Sequence, residues 1–186
     1  GIRLQESTDA LHAFGMIYKK QAEASGVILQ ISAIFGNCGG GLSVFTTLTD
    51  FTLMEEKGQL FVNAPNAIEG NRKEVLNSAS AVFQSKEAGT VDFVENETEV
   101  FEEIRKLTQI FPSNYKDQSK VIDCVDDLNR LCENISAGNG KEILIQIADQ
   151  NEFLELKKDY GNDMTIGFIR LDGETIGCIA NKEERI

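Results

Sequence analysis

Histidine and usable cysteine are scarce in this chain. One histidine, His12, and four cysteines, Cys38, Cys124, Cys132 and Cys178, stand among 186 residues. The cysteines show no Cys-x-x-Cys spacing and no small secreted framework, and with a single histidine they make a poor zinc set. A Ser-His-Asp or Cys-His catalytic set would have to run through His12, which lies beside Leu11 on an expected helix and reads as an ordinary surface or core residue. Cations are also few, with 18 Lys and Arg against 30 Asp and Glu and a formal net charge of −12 at pH 7. Neutralising a phosphate backbone takes clustered Lys and Arg, so this balance excludes nucleic acid as a partner. No apolar run approaches the roughly 20 residues that span a bilayer, and no basic segment precedes an apolar one at the N-terminus. The chain is therefore expected to be soluble and cytoplasmic, without direct membrane insertion.

With 41% hydrophobic residues, the chain can build a sizeable core in one domain, or in one domain plus part of another. Its most informative stretch runs from Phe35 to Asp50 and sets Gly39, Gly40 and Gly41 between an apolar strand and a helix. The first N–H groups of a helix lack intrahelical partners and sit at the positive end of the dipole, where an oxygen gaining negative charge is stabilised. Glycine lets a ligand approach the backbone and permits positive φ. The same three glycines could equally serve a tight strand-to-helix turn with no ligand. Cys38 beside them reads as small packing, because a nucleophilic thiol needs a nearby base or cationic setting.

The surrounding elements are legible from spacing. Val27 to Ile34 is almost continuously apolar and β-branched, as expected of a strand covered on both faces in a parallel sheet. Before it, Leu11, Phe14, Tyr18 and Ala22 fall at helical spacing after Ser7, Thr8 and Asp9, which are good capping residues. Glu6 and Asp9 near that helix start are explained by the dipole without catalysis. Lys19 and Lys20 read as solvated helix-end charge or an ion pair. Val75, Leu76, Ala79, Val82 and Phe83 predict a helical core stripe. Asn96 with Glu99 predicts a cap for a helix burying Val100, Ile104, Leu107 and Phe111, stopped by Pro112. Residues 112–140 break the pattern with Asp123-Cys124-Val125-Asp126-Asp127 and Gly138-Asn139-Gly140, although Val121 to Ile135 could hold a short helix. Beyond them, Asp172-Gly173 between Ile166–Leu171 and Thr175–Ala180 signals a hairpin with a type I′ turn.

Several of these segments together resemble a known family. GIRLQES at residues 1–7, ASGVILQIS at 24–32, FGNCGGG at 35–41 and LTDF at 48–51 are similar, in order and spacing, to the carboxyltransferase subunits of biotin-dependent acyl-CoA carboxylases and decarboxylases of the propionyl- and methylmalonyl-CoA type, within the crotonase-like superfamily. The likeness continues through Leu60–Asn66, where Ala64 stands in place of a usual glycine, through Ala88–Glu97 and Leu107–Asn114, and again through Glu152–Tyr160 and Ile166–Asn181.

The resemblance implies an α/β, crotonase-like spiral of parallel strands with helical crossovers, plus the start of a second similar domain. Residues 1–113 would be the C-terminal part of the first domain, 114–140 a linker and 141–186 the opening of the second. The family's subunits are longer, so the chain is expected to be the middle of one; its first residue, Gly1, favours a processed piece. The implied reaction exchanges a carboxyl group between N1 of carrier-bound biotin and the α-carbon of a short acyl-CoA. It needs oxyanion stabilisation at the thioester and ureido oxygens. The implied backbone donors are Gly1, Ile2 and Gly40, and the implied substrate contacts are Gly39, Gly41 and Arg3. Ile2 replaces the family's alanine. In that family the position of Cys38 is often cysteine and is not a nucleophile. Implied partners are acyl-CoA, a biotin carboxyl carrier protein, and a biotin carboxylase or decarboxylase subunit, within a homo-oligomer. Two other readings stand beside this one: a non-catalytic assembly or interaction piece retaining the fold, and a crotonase-type hydratase or isomerase, for which no paired glutamate bases are evident.

Overall fold

The computed structural model describes residues 4–64, 67, 76–118, 121–127, 129–133, 135 and 139–182. Helix α1 (Ser7–Ala24) leads through residues 25–30 into strand β1 (Ile31–Ile34), then β2 (Asn37–Gly39), α2 (Gly41–Thr47), β3 (Phe51–Glu55) and β4 (Gln59–Phe61). After α3 (Ala81–Lys86) come β5 (Phe93–Glu95) and α4 (Glu97–Ile110), then α5 (Gly140–Ile147), β6 (Phe153–Leu156), β7 (Met164–Leu171) and β8 (Glu174–Asn181). The α/β class with parallel strands is as the sequence predicts: β1, β3 and β5 form one parallel sheet in that order, and β2 pairs parallel with β4. The third sheet, β6-β7-β8, is antiparallel. Among the described residues no helix is long and apolar enough to cross a membrane.

Several expectations need correction. Strand β1 covers only Ile31–Ile34, and Val27 and Ile28 are exposed. Among the described residues it is paired only with β3, at the edge of the sheet, and its burial alternates instead of being continuous. Helix α1 forms, but a short 3₁₀ turn, Leu4–Glu6, precedes it, and Ser7, Thr8 and Asp9 are its first helical residues rather than its cap. Its expected apolar stripe is not the buried one: Leu11 is 70% exposed, Phe14 and Tyr18 are half-buried, Ala22 is exposed, and the single buried residue is Gln21. That glutamine faces the chain because its Nε2 donates to the Phe45 carbonyl of α2 (2.7 Å).

The stripe from Val75 to Phe83 does not form one helix. Val75 lies outside the described residues; Ser80 caps a helix that begins only at Ala81, its hydroxyl accepting the Phe83 N–H (3.2 Å). Leu76 and Val82 are exposed and Phe83 is half-buried; of the expected stripe Ala79 is buried, together with Ala81 and Ser85. The expected short helix within 121–135 is absent among the described residues, whereas the Gly138–Gly140 cluster, read as a break, contains a helix start: the Asn139 side chain accepts the Glu142 N–H (3.0 Å) and opens α5.

Other expectations hold. Asn96 caps α4 by accepting the Glu99 N–H (3.1 Å), and Phe111 with Pro112 ends it; of the expected face Val100 and Leu107 are buried, Ile104 and Phe111 are half-buried against the same cluster, and Ile110 is buried as well. Asp172 and Gly173 both take positive φ (52° and 79°) between β7 and β8, the signature of the type I′ hairpin.

The core is made of separate buried clusters. Phe51, Leu53, Phe93, Val100 and Leu107 form one buried cluster, against which Leu154, Leu156 and Phe168 of the antiparallel sheet also pack. Phe111 meets Phe51 (5.3 Å between ring centroids) and stands edge-on to Phe168 (5.0 Å). A second cluster, Ile34, Cys38, Met54, Leu60, Ala81 and Val91, supports the glycine-rich turn from beneath.

Candidate functional site

The site predicted from sequence divides in two. Gly1, Ile2 and Arg3 lie outside the described residues. Gly39, Gly40 and Gly41 are placed together where β2 runs into α2: Gly39 ends the strand, Gly40 turns at φ +64°, and Gly41 opens the helix. The strand-to-helix turn is thus present, although Cys38 and Gly39 belong to the strand rather than to a loop.

The three glycines are bare for three different reasons. A Cβ on Gly39 would fall 2.5 Å from the Phe61 ring, so the Phe61 side chain occupies the space that the missing Cβ leaves. A Cβ on Gly41 would come 3.2 Å from the Tyr18 hydroxyl and 3.7 Å from the Phe14 ring of α1. Over Gly40, by contrast, no atom of the described residues stands within 4 Å of a Cβ, and the residue is marked by its positive φ. Among the described residues, Gly40 is thus left uncovered, while at Gly39 the chain's own aromatic ring has taken the position.

The hydrogen bonds narrow the donor set. Gly40 gives its N–H to the carbonyl oxygens of Phe61 and Val62 (3.1 Å each), which ties the turn to β4 and engages the donor that the sequence singled out. Its carbonyl accepts the Ser43 N–H (3.1 Å) and the Ser43 hydroxyl (2.7 Å), closing the first turn of α2. Gly41 and Leu42 follow as the first two helical residues, and the N–H groups at such positions have no intrahelical acceptor. The Tyr18 hydroxyl donates to the Gly41 carbonyl, and its ring lies 6.3 Å from that of Phe45. Together with the Gln21 amide on Phe45, this fixes α1 against α2. Tyr18 and Phe61 were missed as site residues: Tyr18 is visible in sequence only as one member of an apolar stripe, and Phe61 carries no signal linking it to Gly39.

The remaining candidates are structural. Cys38 is buried at 4% exposure, its Sγ 3.7 Å from the Thr46 hydroxyl, among apolar neighbours. His12 is exposed on α1. Lys19 and Lys20 both pair with Glu23 (3.9 and 2.8 Å), the ion-pair reading of those charges. Asp9 sits in the first turn of α1, where the dipole favours a carboxylate. Among the described residues no group of three or more His, Cys, Asp or Glu could hold a metal ion.

Comparison with known proteins gives this turn its context. The carboxyl transferase domain family matches residues 1–185. The chain is 32% identical over 196 residues to the methylmalonyl-CoA decarboxylase subunit alpha of Veillonella parvula, and 31% identical over 196 residues to the propionyl-CoA carboxylase beta chain of Cereibacter sphaeroides. Each alignment covers 98% of this chain and 38% of the relative. The crystal structure of the transcarboxylase 12S hexamer with methylmalonyl-coenzyme A and methylmalonic acid bound superimposes with a TM-score of 0.87 at 27% identity. It covers 98% of this chain and 38% of that one. The fold is thus of the crotonase-like class that the motifs imply, and the chain spans 38% of the length of these relatives. With its whole described architecture and nearly every residue matched, the chain belongs to the carboxyl transferase domain family.

Proposed function

We propose that this chain is part of a carboxyltransferase that moves a carboxyl group between carrier-bound biotin and a short acyl-CoA of the acetyl, propionyl or methylmalonyl type. The observation that carries the reading is the family match from residue 1 to residue 185, with β2, Gly40 and α2 intact within it. In this reading residues 1–113 are the C-terminal part of a first carboxyltransferase domain, 114–140 connect it to a second, and 141–186 open that second domain. The biotin carboxyl carrier protein, the biotin carboxylase or decarboxylase partner, a homo-oligomeric assembly and a cytoplasmic location belong to the same proposal.

The chemistry assigned to the chain is electrostatic. Carboxyl transfer places negative charge on an oxygen of the acyl thioester and on the ureido oxygen of biotin. Among the described residues nothing covers the outer face of the turn at Gly40, which fits the approach of such an oxygen. With the Gly40 N–H engaged by β4, the donors are the N–H groups of Gly41 and Leu42, and Gly40 sets their direction through its positive φ. A preorganised donor of this kind contributes about 3 kcal/mol to a transition state. Gly39 and Gly41 line the same turn, and Gly1, Ile2 and Arg3 complete the set carried by the resemblance. Biotin supplies the carboxyl group and its own proton acceptor, so no side-chain base is required.

The test uses the longer protein that contains this segment, supplied with carboxylated biocytin and propionyl-CoA, with crotonyl-CoA and water as the alternative substrates. Carboxyl transfer without hydration supports the reading; hydration without transfer overturns it in favour of a hydratase. A second reading, an assembly piece, draws on the exposed apolar residues of α1, Leu11, Met16 and Ile17. Neither reaction in a folded longer protein would favour that reading.

A further inference from the structure

A cavity of about 270 Å³ lies away from the glycine turn, between the C-terminal end of α4, strands β6 and β7, and the segment 121–125. Ile110, Leu154 and Phe168 give it an apolar floor continuous with the main core. The segment above is held by backbone: the Ile122 N–H donates to the Gly173 carbonyl (3.2 Å), and the bare Cα of Gly173 lets the Ile122 carbonyl approach. Thr175, opposite Arg170 in the β7–β8 register, donates its hydroxyl to the Ile110 carbonyl (3.4 Å) and fixes α4 to the sheet.

The charged groups on the walls differ in their surroundings. Lys106 pairs with Glu103 (2.7 Å), and Asp149 accepts the N–H groups of Asp172 (3.1 Å) and Gly173 (2.8 Å). Asp123 and Glu152 are exposed and solvated at the rim. Arg170 is half-buried, takes part in none of the ion pairs among the described residues, and its buried Nε has no acceptor there. A guanidinium whose buried Nε lacks an acceptor is stabilised by a planar carboxylate, which its fork of donors fits. The cavity falls just under the roughly 300 Å³ at which small-molecule pockets usually begin, so its occupant is small.

We propose that this cavity binds a small amphipathic carboxylate, its apolar body on Ile110, Leu154 and Phe168 and its carboxylate on Arg170. The site is separate from the glycine turn and does not depend on the carboxyl-transfer reading. The test is a saturation-transfer NMR titration of the 186-residue chain with sodium hexanoate, against hexan-1-ol as a neutral probe of similar shape. Saturable hexanoate binding, at least about tenfold tighter than that of hexan-1-ol, is the expected result, since a charge-assisted hydrogen bond is worth that much. Arg170→Gln abolishes the preference for the acid and Arg170→Lys retains part of it. Equal affinity for acid and alcohol in the wild-type chain, no saturable binding of hexanoate, or an undiminished preference in folded Arg170→Gln overturns the proposal. The wild-type comparison decides it even if that variant does not fold.

Discussion

The Phe61 ring packs against the bare Cα of Gly39, so closely that a Cβ there would lie 2.5 Å from a ring carbon. Strand β4 therefore reaches the glycine turn in two ways, through this ring and through the carbonyls that accept the Gly40 N–H. Two glycines adjacent in sequence consequently answer to different demands, packing at Gly39 and backbone conformation at Gly40.

Gly39→Ala is expected to destabilise the fold by about 1–3 kcal/mol, the usual cost of overpacking a filled site. Combining it with Phe61→Leu should recover part of that loss, because the smaller side chain yields the space. Thermal unfolding of the two single variants and the double variant measures the coupling; strictly additive losses would show that the ring is not what excludes the methyl.

Cys38 is expected to behave as packing. With Sγ buried beside the Thr46 hydroxyl, Cys38→Ala should fold and leave carboxyl transfer in the longer protein near its parental rate. A nucleophile would lose several orders of magnitude. Native alkylation should reach Cys178 only slowly as well, since burial raises its thiol above the ordinary value of 9.0 and lowers the thiolate fraction.

Acid should weaken the antiparallel sheet through Glu155. Burial alone would raise this carboxyl, but hydrogen bonds from Lys141 and Thr165 and the charges of Lys141 and Lys182 outweigh it and hold it below the ordinary value of 4.5. A carboxyl lowered on folding contributes stability that is present above its unfolded value and is lost as the pH falls through the folded one. Unfolding midpoints followed downward from neutral pH should fall below about 4.5 less steeply in Glu155→Gln than in the wild type. Parallel curves would remove Glu155 from the acid limb.

Exposed apolar residues on and beside the first two helices predict association. Leu11, Met16 and Ile17 lie open around α1, with Leu42 and Val44 exposed on α2 and Leu48 exposed just after it. Sedimentation of the isolated 186-residue chain at micromolar concentration should show self-association, which Leu11→Glu with Ile17→Glu reduces. A single species near 20.5 kDa for the unaltered chain would contradict this.

What was legible in the sequence follows from how locally each feature is encoded. Asn96 with Glu99, and Asp172-Gly173, specify their cap and turn within four residues, and both appear as read. Strand β1 and the α1 stripe failed because burial depends on which neighbours are present: an edge strand and a half-covered helix carry the same apolar pattern as buried ones. Helix α5 was missed because Gly138 to Gly140 looks like a loop until Asn139 is recognised as a cap. At the candidate site, the glycine turn was visible, but the use of Gly39 by Phe61 and of the Gly40 N–H by β4 are contacts across more than twenty residues, which no local spacing announces.

The most direct test of the carboxyltransferase reading is the transfer rate of Gly40→Val in the longer protein containing this segment. The substitution meets no atom of the described residues, so it should fold, at a cost of roughly 1–2 kcal/mol for the positive φ. By turning the N–H groups of Gly41 and Leu42 and covering the open face, it is expected to lower kcat for carboxyl transfer by about 10²–10³-fold. A folded Gly40→Val protein that transfers carboxyl at the parental rate would contradict the account.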